Sequence, residues 1–429
     1  MRIVYITAGA AGMYCGSCIH DNTLATALIS KGHEVTLVPT YTPSRTDETN
    51  VSVSSVFYGA INVYLQEKSS IFRHTPRALD WLLNRPGLVN WVTRFSSSTS
   101  PEDLGTLTVS ILEGEAGHLK KELEKLVEWL SSHLKPDIVH LTNSMFLGMA
   151  RELGERLEVP VLCSLQGEDI FLEELVEPYK SRAKQLIRER VADINGFVAT
   201  STAYADFMTD YLRIPRKSIH VVPLGLNLKG HGSGSSKREK SITRIGYLAR
   251  ICPEKGLHLL VDAFDLLVQR RGKESLRLEI AGYLGARDQS YFDKITARID
   301  RSGWRDCFRH RGEVDREEKI EFLSSLDILS VPTVYQDPKG LFVLEALANE
   351  TAVVQPAHGA FPELIAKTGG GRLVEPNSAE ALADGLEFLI EDTEERSRMA
   401  KAGKEAVFKH FNAGVLADNA LSVYRKYVP

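Results

Sequence analysis

Residues 2–40 read RIVYITAGAAGMYCGSCIHDNTLATALISKGHEVTLVPT, and this stretch indicates the fold. A short apolar strand, Ile3 to Thr7, leads into a glycine-containing loop and then into an amphipathic helix. Gly32 ends that helix, and a second strand runs from Val35 to Val38. A strand, a glycine loop, a helix and a parallel strand make up the repeating unit of doubly wound α/β domains. The sequence therefore predicts such a domain at the start of the chain.

The same alternation continues to the end of the chain. Short apolar runs predict further strands at 138–141, 161–164, 196–199, 245–248, 276–280, 308–312, 328–331 and 352–355. Helical patterns separate them, including those at 119–134 and 175–191. Alternation of this kind predicts parallel sheets that helices cover on both faces.

Length and one polar stretch predict two domains. A chain of 429 residues is too long for one ordinary hydrophobic core. Residues 228–241, LKGHGSGSSKREKS, contain no large apolar side chain after Leu228, which is typical of a linker. We therefore expect an N-terminal domain at 1–228, a linker at 229–241 and a C-terminal domain at 242–407.

Composition excludes several classes of protein. The chain is 43% hydrophobic and 25% charged with a net charge of −4, whereas a nucleic-acid-binding domain is usually basic. No apolar run approaches the roughly 20 residues of a membrane helix. The first residues lack the basic region and the cleavage site of a signal peptide. Five scattered cysteines do not form a disulfide framework, so we expect a cytoplasmic protein.

Two motifs in the C-terminal half place charged groups beside helix starts. In IGYLARICPEKGLHLLVDAF, residues 245–264, Arg250 and Lys255 follow a strand and precede a helix. In YQDPKGLFVLEALA, residues 335–348, Asp337 lies at a strand-to-helix junction, and Glu345 follows it eight positions later. Two cations beside a helix N-terminus suit a phosphorylated ligand, and the two carboxylates suit its hydroxyl groups.

These motifs resemble those of the retaining GT-B glycosyltransferases of family 4, also called glycosyl transferases group 1. That family carries Arg-x4-Lys-Gly and E-x7-E in its C-terminal domain, and the two pairs above stand at matching positions. The resemblance extends to the N-terminal glycine loop and the last helix. It implies an α/β fold of two Rossmann-like, doubly wound domains that face each other across a cleft. A C-terminal helix at 408–429 would pack back onto the N-terminal domain.

The resemblance also implies roles for individual residues. Arg250 and Lys255 would stabilise the leaving diphosphate, Glu345 would hold the nucleotide ribose, and Asp337 would orient the donor sugar. The positions expected to contact the nucleotide sugar are Gly16, Gly282, Val314, Gly340 and Leu341. This chain has Asp337 where the family usually has glutamate, and Lys339 where it often has phenylalanine.

The acceptor side is expected to involve His20, Gln166 and Asp169. Many family members have a histidine near the reacting sugar where this chain has Gln166, which can form hydrogen bonds but cannot act as a base. Cys15 and Cys18 form a C-x-x-C that reads as small side chains in a tight turn, as a redox pair or as half a zinc site.

The resemblance predicts a retaining transfer of a hexose from a nucleotide-diphosphate sugar to an acceptor hydroxyl. No D-x-D motif occurs and two cations are available, so we expect no metal ion and no cofactor. The acceptor would be a carbohydrate, a lipid or a small molecule, with no role for nucleic acid. Two alternatives remain open: another GT-B enzyme, such as a sugar phosphorylase or a nucleotide-sugar epimerase, and a non-catalytic sugar- or nucleotide-binding protein.

One segment departs from the regular alternation. Residues 57–92, FYGAINVYLQEKSSIFRHTPRALDWLLNRPGLVNWV, interleave aromatic and basic residues with apolar ones. This wording resembles a segment of bacterial glycogen and starch synthases. The region 51–99 reads as an inserted helical hairpin, as an acceptor-binding lid, or as a patch for peripheral contact with the inner membrane surface.

Overall fold

The computed structural model describes residues 1–9, 16–40, 46–53, 101–233 and 241–428 of the chain. It consists of two compact units. The first unit contains Met1–Pro223 together with Leu416–Pro429, and the second contains Leu224–Val415.

The first unit is built on a parallel sheet. In its described part the strands are β1 (Arg2–Thr7), β2 (Glu34–Pro39), β3 (Ile138–Leu141), β4 (Val161–Leu165), β5 (Gly196–Ala199) and β6 (Ile219–Val221). Their order in the sheet is β2-β1-β3-β4-β5-β6, and all neighbouring pairs are parallel. Strands β3, β4 and β5 are buried along their whole length, as expected where helices cover both faces.

Helices flank this sheet. They are α1 (Gly16–Ser30), α2 (Pro101–Glu113), α3 (Lys120–Trp129), α4 (Ala150–Leu157), α5 (Glu168–Glu174), α6 (Tyr179–Arg190) and α7 (Thr202–Leu212). The core between sheet and helices is built from leucine, isoleucine and valine, with Phe146 and Phe197 among the largest side chains that are fully buried.

The second unit repeats this architecture. Its described strands are β7 (Thr243–Leu248), β8 (Leu276–Ala281), β9 (Phe308–His310), β10 (Ile328–Leu329), β11 (Ala352–Pro356) and β12 (Gly371–Val374), in the parallel order β12-β11-β10-β7-β8-β9. Its helices are α8 (Leu257–Arg271), α9 (Gln289–Ser302), α10 (Arg316–Ser325), α11 (Leu341–Ala348), α12 (Phe361–Thr368), α13 (Ala379–Glu391) and α14 (Thr393–His410), and α15 (Ala413–Tyr424) follows.

The strand order places a reversal point in each sheet. In the first sheet the order reverses between β1 and β3, and in the second it reverses between β7 and β10. The loops that leave the carboxyl ends of these strand pairs run in opposite directions, which opens a crevice where ligands bind in doubly wound folds. The residues of interest for function should therefore follow β1 and β3, and β7 and β10.

The polar stretch after Leu228 is partly docked onto the second unit. The division between the two units falls at Pro223, because Leu224 and Leu226 are buried in the second core. Leu226 exchanges backbone hydrogen bonds with Phe411 and Ala413. His231, inside the predicted linker, is 6% exposed and contacts the Asn349 side chain at 2.8 Å.

Several element boundaries differ from the sequence predictions. The helix expected from residue 175 begins at Tyr179, because Pro178 disfavours helical backbone at the residue before it. The helix expected at 119–134 ends as α-helix at Trp129 and continues as a π-helical turn to Leu134. Residues 408–410 belong to α14 rather than to the last helix.

The aromatic and basic segment lies almost wholly outside the described residues, which stop at Val53 and resume at Pro101. The structure therefore does not bear on the helical hairpin, lid or membrane patch predicted for it. No helix in the described part of the chain has the length and apolar character to cross a membrane.

Candidate active site

A buried ion pair lies at the reversal point of the second sheet. Lys255 ends a short 3-10 turn after β7, and Asp337 lies in the loop between β10 and α11. The Lys255 ammonium donates hydrogen bonds to Asp337 Oδ2 at 2.7 Å and to the Tyr335 hydroxyl at 2.6 Å. The Tyr335 hydroxyl in turn donates to Asp337 Oδ2 at 2.9 Å. The structure thus brings two of the predicted residues together and adds Tyr335, which sequence reasoning missed.

Asp337 also fixes the start of α11. Its Oδ1 accepts hydrogen bonds from the backbone N–H groups of Lys339 and Gly340, at 3.0 and 2.9 Å. The amide of Gly340, which is predicted to contact the nucleotide sugar, therefore donates instead to a side chain of the protein itself. Leu341 is the first residue of α11 and lies beside it.

Charge is stabilised on both members of the pair. Burial opposes the charge of Lys255, but the Asp337 carboxylate outweighs burial and raises the pKa of the ammonium. Burial likewise opposes the charge of Asp337, and Lys255 with the two backbone donors holds the pKa of that carboxyl below its usual range. The Lys255 side chain keeps 21% of its surface exposed and that of Asp337 keeps 4%. A fixed cation with a solvent-facing edge is therefore present at any neutral pH.

Two glycines allow the loops at this edge to approach closely. Gly256 has a φ of 70°, and a Cβ atom there would lie 1.8 Å from the Pro332 carbonyl oxygen. Gly282 has a φ of 145°, and its Cβ would lie 1.9 Å from the Ala249 carbonyl oxygen. The Gly282 N–H also donates to the Gly312 carbonyl at 2.8 Å, so the loops after β7, β8 and β9 meet at this residue. Gly282 thus has a structural role in addition to the ligand contact predicted for it.

Arg250 lies in the loop after β7 but does not join the ion pair. Its Nε donates to Cys252 Sγ at 3.3 Å, and its guanidinium lies 3.8 Å from Glu254. The Arg250 side chain is 38% exposed. A second cation is therefore available at the same edge, and it is held more loosely than Lys255.

Glu345 forms a second buried ion pair. Lys319, on α10, donates to Glu345 Oε1 at 2.6 Å, and the two side chains are only 10% and 8% exposed. The sequence carries a signal for Lys319, since it shares the inner face of α10 with Phe322 and Leu323 at helical spacing. Val314, two residues before α10, packs against the second core. The Glu345 carboxylate is thus held in place by Lys319, which the sequence motifs did not identify.

The first unit gathers polar side chains at its own reversal point. Gln166 follows β4 directly, and its Nε2 donates to Asp21 Oδ1 at 2.8 Å and to the Thr142 carbonyl at 3.0 Å. The Gln166 backbone N–H donates to Glu168 Oε2 at 2.7 Å. Asp21 also accepts hydrogen bonds from Thr7 and Thr142, at 3.2 and 2.6 Å. Asp21 was missed by sequence reasoning, although it shares the inner face of α1 with Leu24 and Leu28.

A chain of buried hydrogen bonds extends from Asp21 into the unit. The Tyr5 hydroxyl donates to Asp21 Oδ1 at 3.0 Å and lies 3.2 Å from Ser164 Oγ. His140 lies between Ser164 Oγ, 2.9 Å from Nε2, and the Tyr424 hydroxyl, 2.7 Å from Nδ1. Burial, and next the proximity of His20, lower the pKa of His140 to about 3. The imidazole is therefore neutral, and the last helix, α15, takes part in the polar core of the first unit.

The remaining predicted residues of the first unit have local roles in the structure. Asp169 Oδ1 accepts a hydrogen bond from the Tyr204 hydroxyl at 2.7 Å, and that hydroxyl also accepts from the Gly167 N–H. Gly16 begins α1, and His20 is buried on the same helix. Cys18 is buried, while Cys15 lies outside the described residues.

The loop of residues 358–360 packs against Asp337. The Ala360 N–H donates to the Asp337 carbonyl at 2.9 Å, and His358 Nε2 lies 3.0 Å from the Thr333 carbonyl oxygen. Burial lowers the pKa of His358, so this imidazole is neutral at physiological pH. The loop therefore supports the ion pair from the side of β11.

Two models of known protein families match the chain. The model of the glycosyl transferases group 1 matches residues 234–406, and that of glycosyltransferase family 4 matches residues 89–229. The chain belongs to the group 1 and family 4 glycosyltransferases and has the GT-B fold. This confirms the family and the fold class predicted from the sequence.

Two relatives of the chain have names that state different activities. The chain is 25% identical over 385 residues to a D-inositol 3-phosphate glycosyltransferase of Pseudarthrobacter chlorophenolicus, which covers 83% of this chain and 87% of the relative. It is 24% identical over 306 residues to a mannosylfructose-phosphate synthase of Agrobacterium fabrum, covering 68% and 64% of the two chains.

Solved structures share the fold over the whole length. A sucrose-phosphate synthase from Thermosynechococcus elongatus superposes with a TM-score of 0.73 at 18% identity, covering 99% of this chain and 98% of that one. Anabaena Alr3699/HepE, solved in complex with UDP, has a TM-score of 0.71 at 15% identity, with coverage of 99% and 100%. The same Anabaena protein was also solved with UDP-glucose.

Proposed function

We propose that this glycosyltransferase moves a hexose from a nucleotide-diphosphate sugar to an acceptor hydroxyl, with retention of the anomeric configuration and without a metal ion. The observation that carries the proposal is the Lys255 ammonium, held at 2.7 Å from Asp337 at the reversal point of the second sheet. A cation fixed before the reaction stabilises the negative charge that develops on a leaving diphosphate, at no cost of reorganisation.

The second unit is proposed to bind the donor. Arg250 adds a mobile cation beside Lys255, so positive charge for two phosphates is available from side chains alone. Glu345 presents a carboxylate that Lys319 orients, and carboxylates bind the paired hydroxyls of a ribose. The complexes of the Anabaena neighbour with UDP and UDP-glucose support a nucleotide sugar as the donor.

The first unit is proposed to bind the acceptor, and its chemistry supports retention. Gln166 cannot take a proton, and both oxygens of the neighbouring Glu168 already accept backbone N–H groups from Gln166 and Ser144. In a front-face retaining transfer the leaving phosphate itself accepts the proton of the acceptor hydroxyl. Such a reaction needs no protein base, which agrees with the properties of Gln166 and Glu168.

The first test is binding. The purified chain is heated with UDP, GDP, ADP or dTDP, each with Mg²⁺ and with EDTA, because a ligand that binds the native state raises its apparent stability. A shift with one nucleotide, equal in both conditions, is the expected result. Absence of a shift with all four would contradict the proposed role of Lys255 and Arg250.

The second test is turnover. Hexose derivatives of the nucleotide so identified are then supplied as donors, and the anomeric configuration of the product is read by NMR. Lys255→Ala is compared with Lys294→Ala, an exposed lysine of the same unit. We expect the product to retain the anomeric configuration of the donor. We also expect kcat to fall in Lys255→Ala and to stay unchanged in Lys294→Ala. Release of nucleotide only in the presence of inorganic phosphate would identify a phosphorylase, and a change in the donor sugar without transfer would identify an epimerase. Nucleotide binding without any turnover would identify a non-catalytic binding protein.

A further inference from the structure

The side-chain amide of Gln166 has one fixed orientation. Its nitrogen lies 2.8 Å from Asp21 Oδ1 and 3.0 Å from the Thr142 carbonyl oxygen. Exchange of the amide nitrogen and oxygen would place an oxygen against two other oxygens at these distances, which leaves both contacts repulsive. The nitrogen of the amide must therefore face Asp21.

The carbonyl oxygen of the same amide then faces away from Asp21. Gln166 is 7% exposed, and no donor in the described part of the chain forms a hydrogen bond with its Oε1. A buried carbonyl oxygen without a donor costs free energy, and such atoms in native proteins usually have a functional explanation. Gln166 is the first residue after β4, and its amide contacts Asp21 and Thr142, which follow β1 and β3. The oxygen therefore lies beside the reversal point, where ligands bind in doubly wound domains.

From this geometry we propose that Asp21 is a positioning residue, which holds Gln166 so that its Oε1 accepts a hydrogen bond from a hydroxyl group of a sugar substrate. The inference rests on the proposed function and adds a specificity element to it. An acceptor oxygen backed by a carboxylate selects a hydroxyl and disfavours a phosphate or carboxylate at this place. A histidine at the same position would offer an N–H donor and a titratable cation, so this chain has the opposite preference.

The surroundings fit a fixed carboxylate at Asp21. Asp21 is fully buried and receives hydrogen bonds from the hydroxyls of Tyr5, Thr7 and Thr142, all from the carboxyl-end region of β1 and β3. In a specific binding site, the side chains that contact the ligand are usually held in place by further hydrogen bonds. Among the described residues, the titratable groups in contact with Gln166 are Asp21 and Glu168. Tyr5 is reached through Asp21, and His140 lies beyond Tyr5 through Ser164.

The substitution Gln166→Glu tests the orientation through pH. Against Asp21, the introduced carboxyl shares a proton with the aspartate, because two carboxylates in contact cannot both ionise readily. While it holds that proton, the introduced side chain donates to Asp21 and still presents a carbonyl oxygen, so it imitates glutamine only in its protonated form. Activity should then fall about tenfold per pH unit above the pKa of the pair. The wild type and Gln185→Glu, an exposed matched change near Glu189, should show no such fall.

Turnover is measured from pH 5 to 9 with UDP-glucose, GDP-mannose, ADP-glucose and dTDP-glucose, with water as the acceptor and then with a panel of sugars. Urea unfolding of Gln166→Glu over the same pH range detects the shared proton without substrate. Because the folded pair holds this proton to a higher pH than the unfolded chain does, the free energy of unfolding should fall as pH rises. A loss confined to reactions with a sugar acceptor assigns the hydroxyl to the acceptor, and a loss in both assigns it to the transferred hexose.

Three results distinguish a failure of the role proposed for Asp21 from a failure of the proposed function. An active wild type with a flat Gln166→Glu profile, in both turnover and stability, would overturn the role of Asp21. A wild type inactive on every donor would count against the proposed function and the sugar contact together, while the stability profile would still report the amide orientation. Asp21→Asn should lower kcat at least tenfold and leave the thermal shift with nucleotide unchanged, and an equal loss of both would indicate a merely structural role.

Discussion

Substitution of Gly256 by alanine tests whether the packing behind Lys255 determines the position of its ammonium. A Cβ atom at Gly256 would lie 1.8 Å from the Pro332 carbonyl oxygen, on a backbone with φ of 70°. Gly303, in the same unit, is a matched control: its φ is 76°, and a Cβ there would meet no atom within 4 Å. The two substitutions therefore share a backbone cost and differ in a steric one.

The expected magnitudes follow from these two terms. A left-handed backbone costs a residue with a Cβ about 1–2 kcal/mol, and Gly303→Ala should lower the free energy of unfolding by about that amount. Gly256→Ala adds overpacking of about 1–3 kcal/mol, which gives a total of about 2–5 kcal/mol. Because the loop must move by on the order of 1 Å to admit the methyl group, kcat should fall by about 100-fold. Gly303→Ala should leave kcat unchanged.

The assay is urea unfolding of the full chain, followed by tryptophan fluorescence, to which the fully buried Trp304 contributes, and by circular dichroism, together with kcat on the donor that binds. If Gly256→Ala were no less stable than Gly303→Ala and turned over normally, the loop would have absorbed the methyl group. The reasoning that close packing at Pro332 fixes Lys255 would then be refuted.

Three further predictions concern the buried polar groups. Lys255→Met should cost about 3–5 kcal/mol in urea unfolding, because it leaves Asp337 buried without its cation; the double variant with Asp337→Asn should regain stability but not activity, and additive losses would contradict this. His140 should make the wild type less stable as pH falls from 6.5 toward 3, by up to about 1.4 kcal/mol per unit, because the unfolded chain binds the extra proton. His140→Gln should lack this slope, and an unchanged slope in urea unfolding at pH 7, 6, 5 and 4 would refute the assignment. Lys319→Met should weaken nucleoside diphosphate binding about tenfold by calorimetry and a 2′,3′-dideoxy analogue much less, because Glu345 loses its orientation; equal losses would count against the ribose contact.

The central strands of both sheets could be predicted, as could two of the four edge strands, β2 and β9. Ile138–Leu141 and Gly196–Ala199 occur with the predicted bounds, because residues buried on both faces form continuous apolar runs. The strands that sequence reasoning missed, Ile219–Val221 and Gly371–Val374, lie at the edges of their sheets and are only partly buried. An edge strand needs less apolar surface, so its sequence carries a weaker pattern.

Residues of the candidate site could be proposed from the sequence, but the contacts between them could not. Lys255 and Asp337 were each identified from a local motif, yet their contact joins positions 82 residues apart and follows only from the order of β7 and β10 in the sheet. Lys319 and Asp21 were missed because each is a charged residue on the inner face of a helix. Such a residue breaks the apolar pattern, and only the partner that it meets across the fold explains it.

The participation of Tyr424 in the core of the first unit bears on how the chain is made. The ribosome synthesises residues 1–223 before the second unit and reaches Leu416 only after the whole second unit has been synthesised. Until then the His140 Nδ1 lacks the hydroxyl that it contacts at 2.7 Å in the finished molecule. Because translation adds about 5–20 residues per second, the first unit lacks α15 for on the order of ten seconds or more. The first unit is therefore completed only after the second has been synthesised, and a nascent chain stalled anywhere in the second unit exposes an incomplete first unit to proteases and chaperones.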